Sequence, residues 1–306
     1  MKLTRPIAVS IVLILLPAAV SIGQDSTAER ISPLKPTAIR ALILTGRNNH
    51  DWRATTPVLR KLLLDTGRFD VRVNGAPTGL TSTALESYDV LILNYNGPRL
   101  GPVAEKALEE FVRLGKGLVG VHGANWAFSG LVVLGDRSVP TDILEPPWPE
   151  YKQMIGGVWS DQPPASGHAP RHKFQVKFVD RKHPIAAGLA PEFEADDELY
   201  HNIHMAPDAH ILATAYDDPC NTPDPTAGAH ANTTNPSTVL SPAPGKMPHL
   251  DMTPTGKDEP VLWTVYYGKG RTFYTALGHD VQAMEMRGFA TTFVRGTEWA
   301  ATGSVK

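Results

Sequence analysis

The fold is decided by residues 38–52, which read AIRALILTGRNNHDW. Residues 38–45 form an apolar run of strand length, which is typical of a parallel strand buried on both faces. A short turn follows, and residues 58–63 then carry apolar side chains at helical spacing before Gly67 ends the pattern. The stretch therefore predicts one strand–turn–helix unit of an α/β fold.

The same alternation continues along the chain. We predict further strands at 69–73, 88–94, 117–122, 172–180, 210–216, 260–267 and 271–277, and helices at 102–114 and 284–299. Strands that alternate with helices over the first half indicate a doubly wound parallel sheet. We therefore expect a single α/β domain over residues 38–300, with residues 219–254, rich in Pro, Thr, Ala and Asn, as a long loop or insertion.

The N-terminus has the layout of a secretory signal. Lys2 and Arg5 precede an apolar run at 7–20, and small residues follow up to Gly23. The run is shorter than the roughly 20 residues that a bilayer-spanning helix needs, so a cleaved signal over 1–23 is favoured over an uncleaved anchor. We expect an exported, periplasmic or secreted protein without stable membrane insertion, and a linker at 24–37.

Composition excludes several classes of function. The formal net charge of −2, without a basic stripe, argues against a nucleic-acid partner. Cys220 is the one cysteine of the chain, so no intramolecular disulfide forms.

Residues 115–120 match the dinucleotide-binding pattern G-x-G-x-x-G by letters. These glycines close a helix and open a strand, whereas a dinucleotide site needs the opposite order. We therefore expect no nucleotide cofactor.

Three histidines follow predicted strands. His50 comes after the first strand, His122 ends the fourth, and His279 follows the last. A lone histidine in such a place is more often a satisfied hydrogen-bonding residue, but ligands in open α/β sheets bind at the carboxyl ends of the strands. Three histidines at equivalent positions therefore predict one shared site.

The residue types leave two kinds of chemistry open. His50, His122 and His279 could hold a divalent metal such as zinc, with a carboxylate from Asp280, Asp197 or Glu198. Alternatively, the imidazoles could transfer protons at a carbonyl or hemiacetal carbon without a metal. Four residues near these turns would suit a sugar-binding cleft, although tryptophans also pack cores: Asn49, Trp52, Trp126 and Trp159.

Several segments, taken in order and spacing, resemble the ThuA-like (trehalose-utilisation) family over residues 38–283: they lie at 44–52, 117–123, 154–157, 167–168, 183–189, 197–200, 260–263, 268–271 and 277–280. The resemblance implies a flavodoxin-like, three-layer sandwich of the class I glutamine amidotransferase type with a mostly parallel sheet. Amidotransferases carry a nucleophilic cysteine at the sharp turn after a strand. His122 stands at that position here, so amidotransferase chemistry is not expected.

The resemblance implies carbohydrate catabolism. It suggests an enzyme that cleaves a disaccharide, a glycoside or its 3-keto derivative by histidine-mediated acid/base chemistry, with or without a metal. The implied catalytic residues are His50, His122, His168 and His279, and the implied substrate-binding residues are Asn49, Trp52, Trp126, Glu198 and Tyr200. Two alternatives stay open: a non-catalytic sugar-binding module, and a metal-dependent hydrolase of an unrelated small substrate. A small carbohydrate is the expected partner, and both a monomer and a homo-oligomer are compatible with the sequence.

Overall fold

The computed structural model describes residues 38–128, 131–134, 137–140, 148–160, 162–221 and 252–306. The predicted signal at 1–23, the linker at 24–37 and residues 222–251 of the predicted loop lie outside the described residues. The helices are α1 (Trp52–Leu64), α2 (Ser82–Leu85), α3 (Pro102–Arg113), α4 (Pro149–Ile155), α5 (Val281–Glu285) and α6 (Arg287–Thr302). No helix of the described ranges is both long and apolar enough to cross a membrane.

The strands in chain order are β1 (Ile39–Leu44), β2 (Phe69–Asn74), β3 (Val90–Leu93), β4 (Gly117–Val121), β5 (Leu131–Leu134), β6 (Arg137–Pro140), β7 (Gly157–Val158), β8 (Gly167–His168), β9 (His172–Phe178), β10 (Glu192–Asp197), β11 (Tyr200–His201), β12 (His204–Met205), β13 (His210–Tyr216), β14 (Asp258–Tyr267) and β15 (Gly270–Thr275). Nine of them form the central sheet, in the order β10-β9-β13-β14-β15-β4-β3-β1-β2.

The sheet has a parallel half and an antiparallel half. Strands β2, β1, β3, β4 and β15 pair in parallel, and β14, β13, β9 and β10 continue the sheet with antiparallel pairing. The parallel half puts the carboxyl ends of β1, β3, β4 and β15 at one edge. The predicted α/β sandwich is confirmed, and the antiparallel strands extend it on one side.

Helices cover both faces of the sheet and create two apolar cores. One core contains Leu59 of α1 and Phe289 and Phe293 of α6, and the other contains Phe111 of α3 and Ile155 of α4. Residues 41–44 are buried because β1 lies between these two layers. This double burial explains the continuous apolar run of β1, as expected for a parallel strand.

One predicted element differs from the structure, and one strand beside the site was not predicted. The final helix predicted at 284–299 is two helices, α5 and α6, that meet at Met286, whose extended backbone (φ −59°, ψ 132°) interrupts helical geometry. Strand β10 was not predicted, because its sequence EFEADD is rich in acidic residues that are atypical of strands. This omission matters, since β10 ends directly before Glu198.

The described residues on both sides of 222–251 are joined to each other. The backbone N–H of Asp217 donates to the Lys257 carbonyl at 2.8 Å, and Gly256 N–H donates back to the Asp217 carbonyl at 2.9 Å. The buried Asp217 carboxylate also accepts from Thr255 N–H at 2.7 Å and lies 2.9 Å from His201 Nδ1. Residues 217 and 255–257, on the two sides of this segment, are therefore held next to each other.

Candidate functional site

Strand ends bring the three predicted histidines together. His50 lies in the turn between β1 and α1, His122 follows β4, and His279 follows β15. The ring centroids of His50 lie 4.6 Å from His122 and 4.8 Å from His279, and those of His122 and His279 lie 5.3 Å apart. The three imidazoles therefore share one site at the carboxyl edge of the parallel strands.

Glu198 supplies a carboxylate to the same place. Its Oε2 lies 3.0 Å from His279 Nδ1, 3.6 Å from His122 Nε2 and 3.7 Å from His168 Nε2. One ligand atom from each of His50, His122, Glu198 and His279 lies within 4.8 Å of the others. We call these four residues the histidine–glutamate group. Imidazole and carboxylate in this ratio are a donor set that divalent zinc accepts.

Hydrogen bonds orient three of the imidazoles. Nδ1 of His50 lies 3.0 Å from Asn48 Oδ1, Nδ1 of His122 lies 2.8 Å from the Ala276 carbonyl, and Nδ1 of His168 lies 2.9 Å from the Ala169 carbonyl. Because an amide or peptide oxygen only accepts, each Nδ1 carries the proton and donates it. The Nε2 lone pairs of His50 and His168 are therefore left for a ligand, whereas that of His122 accepts from the Tyr200 hydroxyl at 2.7 Å. Metal-binding histidines are commonly oriented by such hydrogen bonds.

Burial and neighbouring charges set the protonation of the group. Burial alone raises the pKa of Glu198, but His168, His279 and His122 outweigh it and hold the pKa well below its usual range. Burial alone lowers the pKa of His279, but Glu198, with Asp197 and Asp280, raises it to about 9. Burial, followed by the like charges of His122 and His279, lowers the pKa of His50 well below 6.5. In the metal-free protein, Glu198 and His279 therefore form a charged pair at neutral pH, while His50 is neutral.

The turns that carry the histidines have unusual backbones. Gly46 has φ +100°, and a Cβ there would lie 2.0 Å from the Gly75 carbonyl oxygen, so the turn before His50 requires glycine. His122 has φ +46°, a left-handed conformation that is costly for residues other than glycine. The Tyr274 hydroxyl donates to the His122 carbonyl and accepts from Asn125 N–H at 2.8 Å, which stabilises this turn.

Two aspartates predicted as metal ligands have other roles. Asp197 Oδ2 accepts from Gly278 N–H at 2.6 Å, and its Oδ1 accepts from Glu198 N–H at 2.8 Å, so Asp197 joins the backbones on either side of the site. Asp280 pairs with Arg171 and caps α5 by accepting from Ala283 N–H at 2.9 Å. The structure therefore places Glu198, rather than Asp280, with the three imidazoles.

The remaining predicted residues are divided between the site and its surroundings. Tyr200 belongs to it, with its hydroxyl 2.7 Å from His122 Nε2. Asn49 is exposed beside His50 and accepts from Asn96 Nδ2 at 2.6 Å. Trp126 lies on the turn that begins at His122. Trp52 instead lines a separate cavity of about 630 Å³ along α1, together with Arg53, Pro57, Leu64 and Val73.

Some site residues were not predicted. Asn48 orients His50 and also accepts from the His50 backbone N–H at 3.0 Å. Asn side chains commonly accept a hydrogen bond from the backbone N–H two residues later, so the spacing of Asn48 and His50 could have indicated this contact. Asn96 anchors the same turn, since its N–H donates to the Arg47 carbonyl at 3.0 Å. No sequence pattern links Asn96 to a turn so far away in the chain.

Comparison with known proteins gives the family of the chain. The model of the ThuA family, described as trehalose utilisation, matches residues 40–300. The chain belongs to the ThuA family. A ThuA-like protein from Parabacteroides merdae has a similar crystal structure, with 28% identity and a TM-score of 0.65, covering 88% of this chain and 92% of that one. A ThuA-like protein from Bacteroides uniformis, 17% identical, has a TM-score of 0.57 over 90% of this chain and 98% of its own. No curated protein matches the chain.

The family assignment supports two earlier expectations. ThuA-like structures have the class I glutamine amidotransferase-like fold, which confirms the predicted fold class. The description of the family connects it with carbohydrates, which supports a carbohydrate-related role at that level. The turn at His122 is sharp, with φ +46°, and it follows β4, as expected for the position where the resemblance implies an imidazole in place of a thiol.

Proposed function

We propose that this chain is an exported enzyme of carbohydrate catabolism that cleaves a disaccharide, a glycoside or its 3-keto derivative by histidine-mediated acid/base chemistry. The proposal rests on one observation. Three imidazoles and one carboxylate, from distant parts of the chain, present their ligand atoms within 4.8 Å of one another at the carboxyl edge of the sheet. Ligand sites of open α/β folds lie at this edge.

The donor set fits a divalent metal such as zinc, held by His50, His122, His279 and Glu198. Asn48 and Ala276 already fix two of these rings with the proton on Nδ1, so that each Nε2 has a lone pair; at His122 a metal would replace the Tyr200 hydroxyl as the partner of that lone pair. A metal bound there would act as a Lewis acid that polarises a sugar ketone or hydroxyl oxygen.

His168 is the candidate base for proton removal. It is outside the ligand group, its Nδ1 donates to Ala169, and its Nε2 faces Glu198 at 3.7 Å. A 3-keto group acidifies the hydrogen on C2. His168 would take this proton, the bond from C1 to the leaving group would break to give the unsaturated ketone, and water would then add at C1. The Tyr200 hydroxyl, which lies at the buried end of the same site, would give its proton to the leaving oxygen. When water adds its OH at C1, the proton of that water would restore Tyr200, and His168 would return its proton to C2.

The proposal is tested on purified protein. We expect about one equivalent of zinc or another divalent metal by elemental analysis, and turnover of a 3-keto-disaccharide that a chelator abolishes. His122→Ala should lose both metal and turnover. His168→Ala should keep the metal and lose turnover by at least about 100-fold, the usual scale of general acid–base catalysis.

His210→Ala is the matched control, because His210 is exposed and pairs with Asp180, outside the site. It should match the parent protein in metal content and turnover. Sugar binding without turnover in the parent would favour the non-catalytic module. Turnover of unrelated esters or amides, but not of sugars, would favour the metal-dependent hydrolase. Either result would overturn the proposal.

A further inference from the structure

The Tyr200 hydroxyl lies on the side of His122 that a metal would need. His122 Nδ1 donates to the Ala276 carbonyl at 2.8 Å, so its Nε2 carries a lone pair. The Tyr200 hydroxyl lies 2.7 Å from this Nε2 and therefore donates its proton to it. Both side chains are buried, with His122 2% and Tyr200 4% exposed. In the metal-free protein, His122 thus already has a partner on its ligand side.

A metal and the Tyr200 oxygen compete for this lone pair. Zinc binds an imidazole nitrogen at about 2.0–2.1 Å, in the direction of the lone pair. The Tyr200 oxygen lies in that direction at 2.7 Å from His122 Nε2, so the two positions are within roughly 1 Å of each other. Even to become a ligand of the metal, the oxygen would have to withdraw to an oxygen–metal distance of about 2 Å. Metal binding at His122 therefore breaks the hydrogen bond from Tyr200.

The main chain around Tyr200 is fixed. Strand β11 pairs with β8, with Tyr200 opposite His168. The next residue, His201, is fully buried, and its Nδ1 lies 2.9 Å from Oδ2 of Asp217, which is fully buried as well. Because the strand is held on both sides, the hydroxyl leaves His122 by rotation of the side chain, and the fixed backbone favours its return. The hydrogen bond therefore acts against metal binding.

We propose that Tyr200 competes with the metal for His122, and that metal binding releases the Tyr200 hydroxyl to the substrate. The inference rests on the proposed function, which takes His122 as a ligand and Tyr200 as the proton donor to the leaving oxygen. While Tyr200 donates to His122, its proton is not available to a substrate. Once that bond is broken, the proton is free on the side of the site where the His168 and Tyr200 rings lie 5.8 Å apart. Metal binding thus also controls the acid of the reaction.

Competition with a chromophoric chelator measures the zinc affinity and needs no turnover. We expect Tyr200→Phe to bind zinc about five- to tenfold more tightly than the parent protein. The variant has no hydroxyl to displace, and its buried His122 lone pair loses its hydrogen-bond donor, so the metal-free state is less favourable. Tyr200→Leu, which also lacks the hydroxyl, gives the same comparison if the phenylalanine variant does not fold.

Tyr151→Phe is the matched control. Tyr151 is also buried, and its hydroxyl donates over the same distance, 2.7 Å, but to the Ala124 carbonyl rather than to a histidine. This carbonyl keeps a second donor, the Ala127 N–H at 3.2 Å. The zinc affinity of the control should stay within about twofold of the parent value.

Proton NMR follows the hydrogen bond itself. A buried hydroxyl proton that is bonded to an imidazole exchanges slowly and resonates at low field, and its absence from Tyr200→Phe identifies it. We expect this resonance to disappear as zinc is added to the metal-free parent, with the same midpoint as zinc binding.

Three results would overturn the inference: zinc affinity that is unchanged or lower in both Tyr200 variants, a hydroxyl resonance that persists in the zinc-loaded parent, or a parent that binds no zinc. The proposed reaction fails separately. Tighter zinc binding by the Tyr200 variants, without turnover of a 3-keto-disaccharide by the zinc-loaded parent, would leave the competition at His122 in place and remove the enzyme.

Discussion

Replacing Glu198 by Gln in the metal-free protein tests the electrostatics of the site directly. The substitution keeps the shape of the side chain and removes its charge. Glu198 is 7% exposed and lies 3.0 Å from His279 Nδ1, so the protonated imidazole loses its anionic partner inside the protein. Breaking one side of a buried pair leaves the other charge uncompensated, which is strongly destabilising.

The size of the expected loss in folding stability follows from the pKa shift of His279. At about 1.4 kcal/mol per pKa unit, the rise of the His279 pKa from 6.5 to about 9 corresponds to about 3 kcal/mol of folding stability. Since the folded state binds this proton more tightly, the contribution is fully present below pH 6.5 and is lost as the pH rises through about 9. We therefore expect Glu198→Gln to lower the free energy of unfolding by about 3 kcal/mol at pH 6 and by much less at pH 10.

Urea denaturation of chelator-treated protein at several pH values measures this difference. Glu194→Gln is the matched control, because Glu194 forms an exposed pair with Lys173 at 3.1 Å and should cost less than about 1 kcal/mol. An unfolding free energy for Glu198→Gln within about 1 kcal/mol of the parent at pH 6, or a loss that does not depend on pH, would refute the reasoning.

Three further predictions concern the residues around the site and the sheet. Asn48→Ala should weaken zinc affinity about tenfold in a chelator competition, because the His50 ring loses its orienting acceptor; unchanged affinity would contradict this. Tyr274→Phe should lower the unfolding free energy by about 2 kcal/mol in urea, because two buried backbone groups lose their partner, and a neutral effect would argue against that bond. Asp89→Asn should cost about 1 kcal/mol at pH 7 after solvent screening. Burial raises the pKa of Asp89, but Arg40 outweighs this effect and lowers the pKa to about 2. The cost of Asp89→Asn should therefore disappear as the pH falls through about 2, which acid denaturation would show.

The parallel half of the sheet could be predicted from the sequence. Residues 41–44 and 90–93 are apolar without interruption because both faces of β1 and β3 are covered by helices. Local pattern and the rule for strand ends then placed His50, His122 and His279 at one edge. These predictions succeeded because each depends on a few neighbouring residues and on the fixed direction of parallel strands.

The choice of carboxylate depended on tertiary structure. Asp280 follows His279 directly in the chain, but it caps α5 and pairs with Arg171. Glu198 instead follows β10, a strand that the sequence pattern did not predict. The hydrogen bond from His122 to the Ala276 carbonyl and the ring contact between Tyr200 and Trp159 likewise join remote segments of the chain. The sequence alone determined which strand ends carry the clustered histidines, since that follows from local periodicity. Only long-range packing decided which side chains complete the site, because those positions are fixed by antiparallel strands and loops whose register has no local signature.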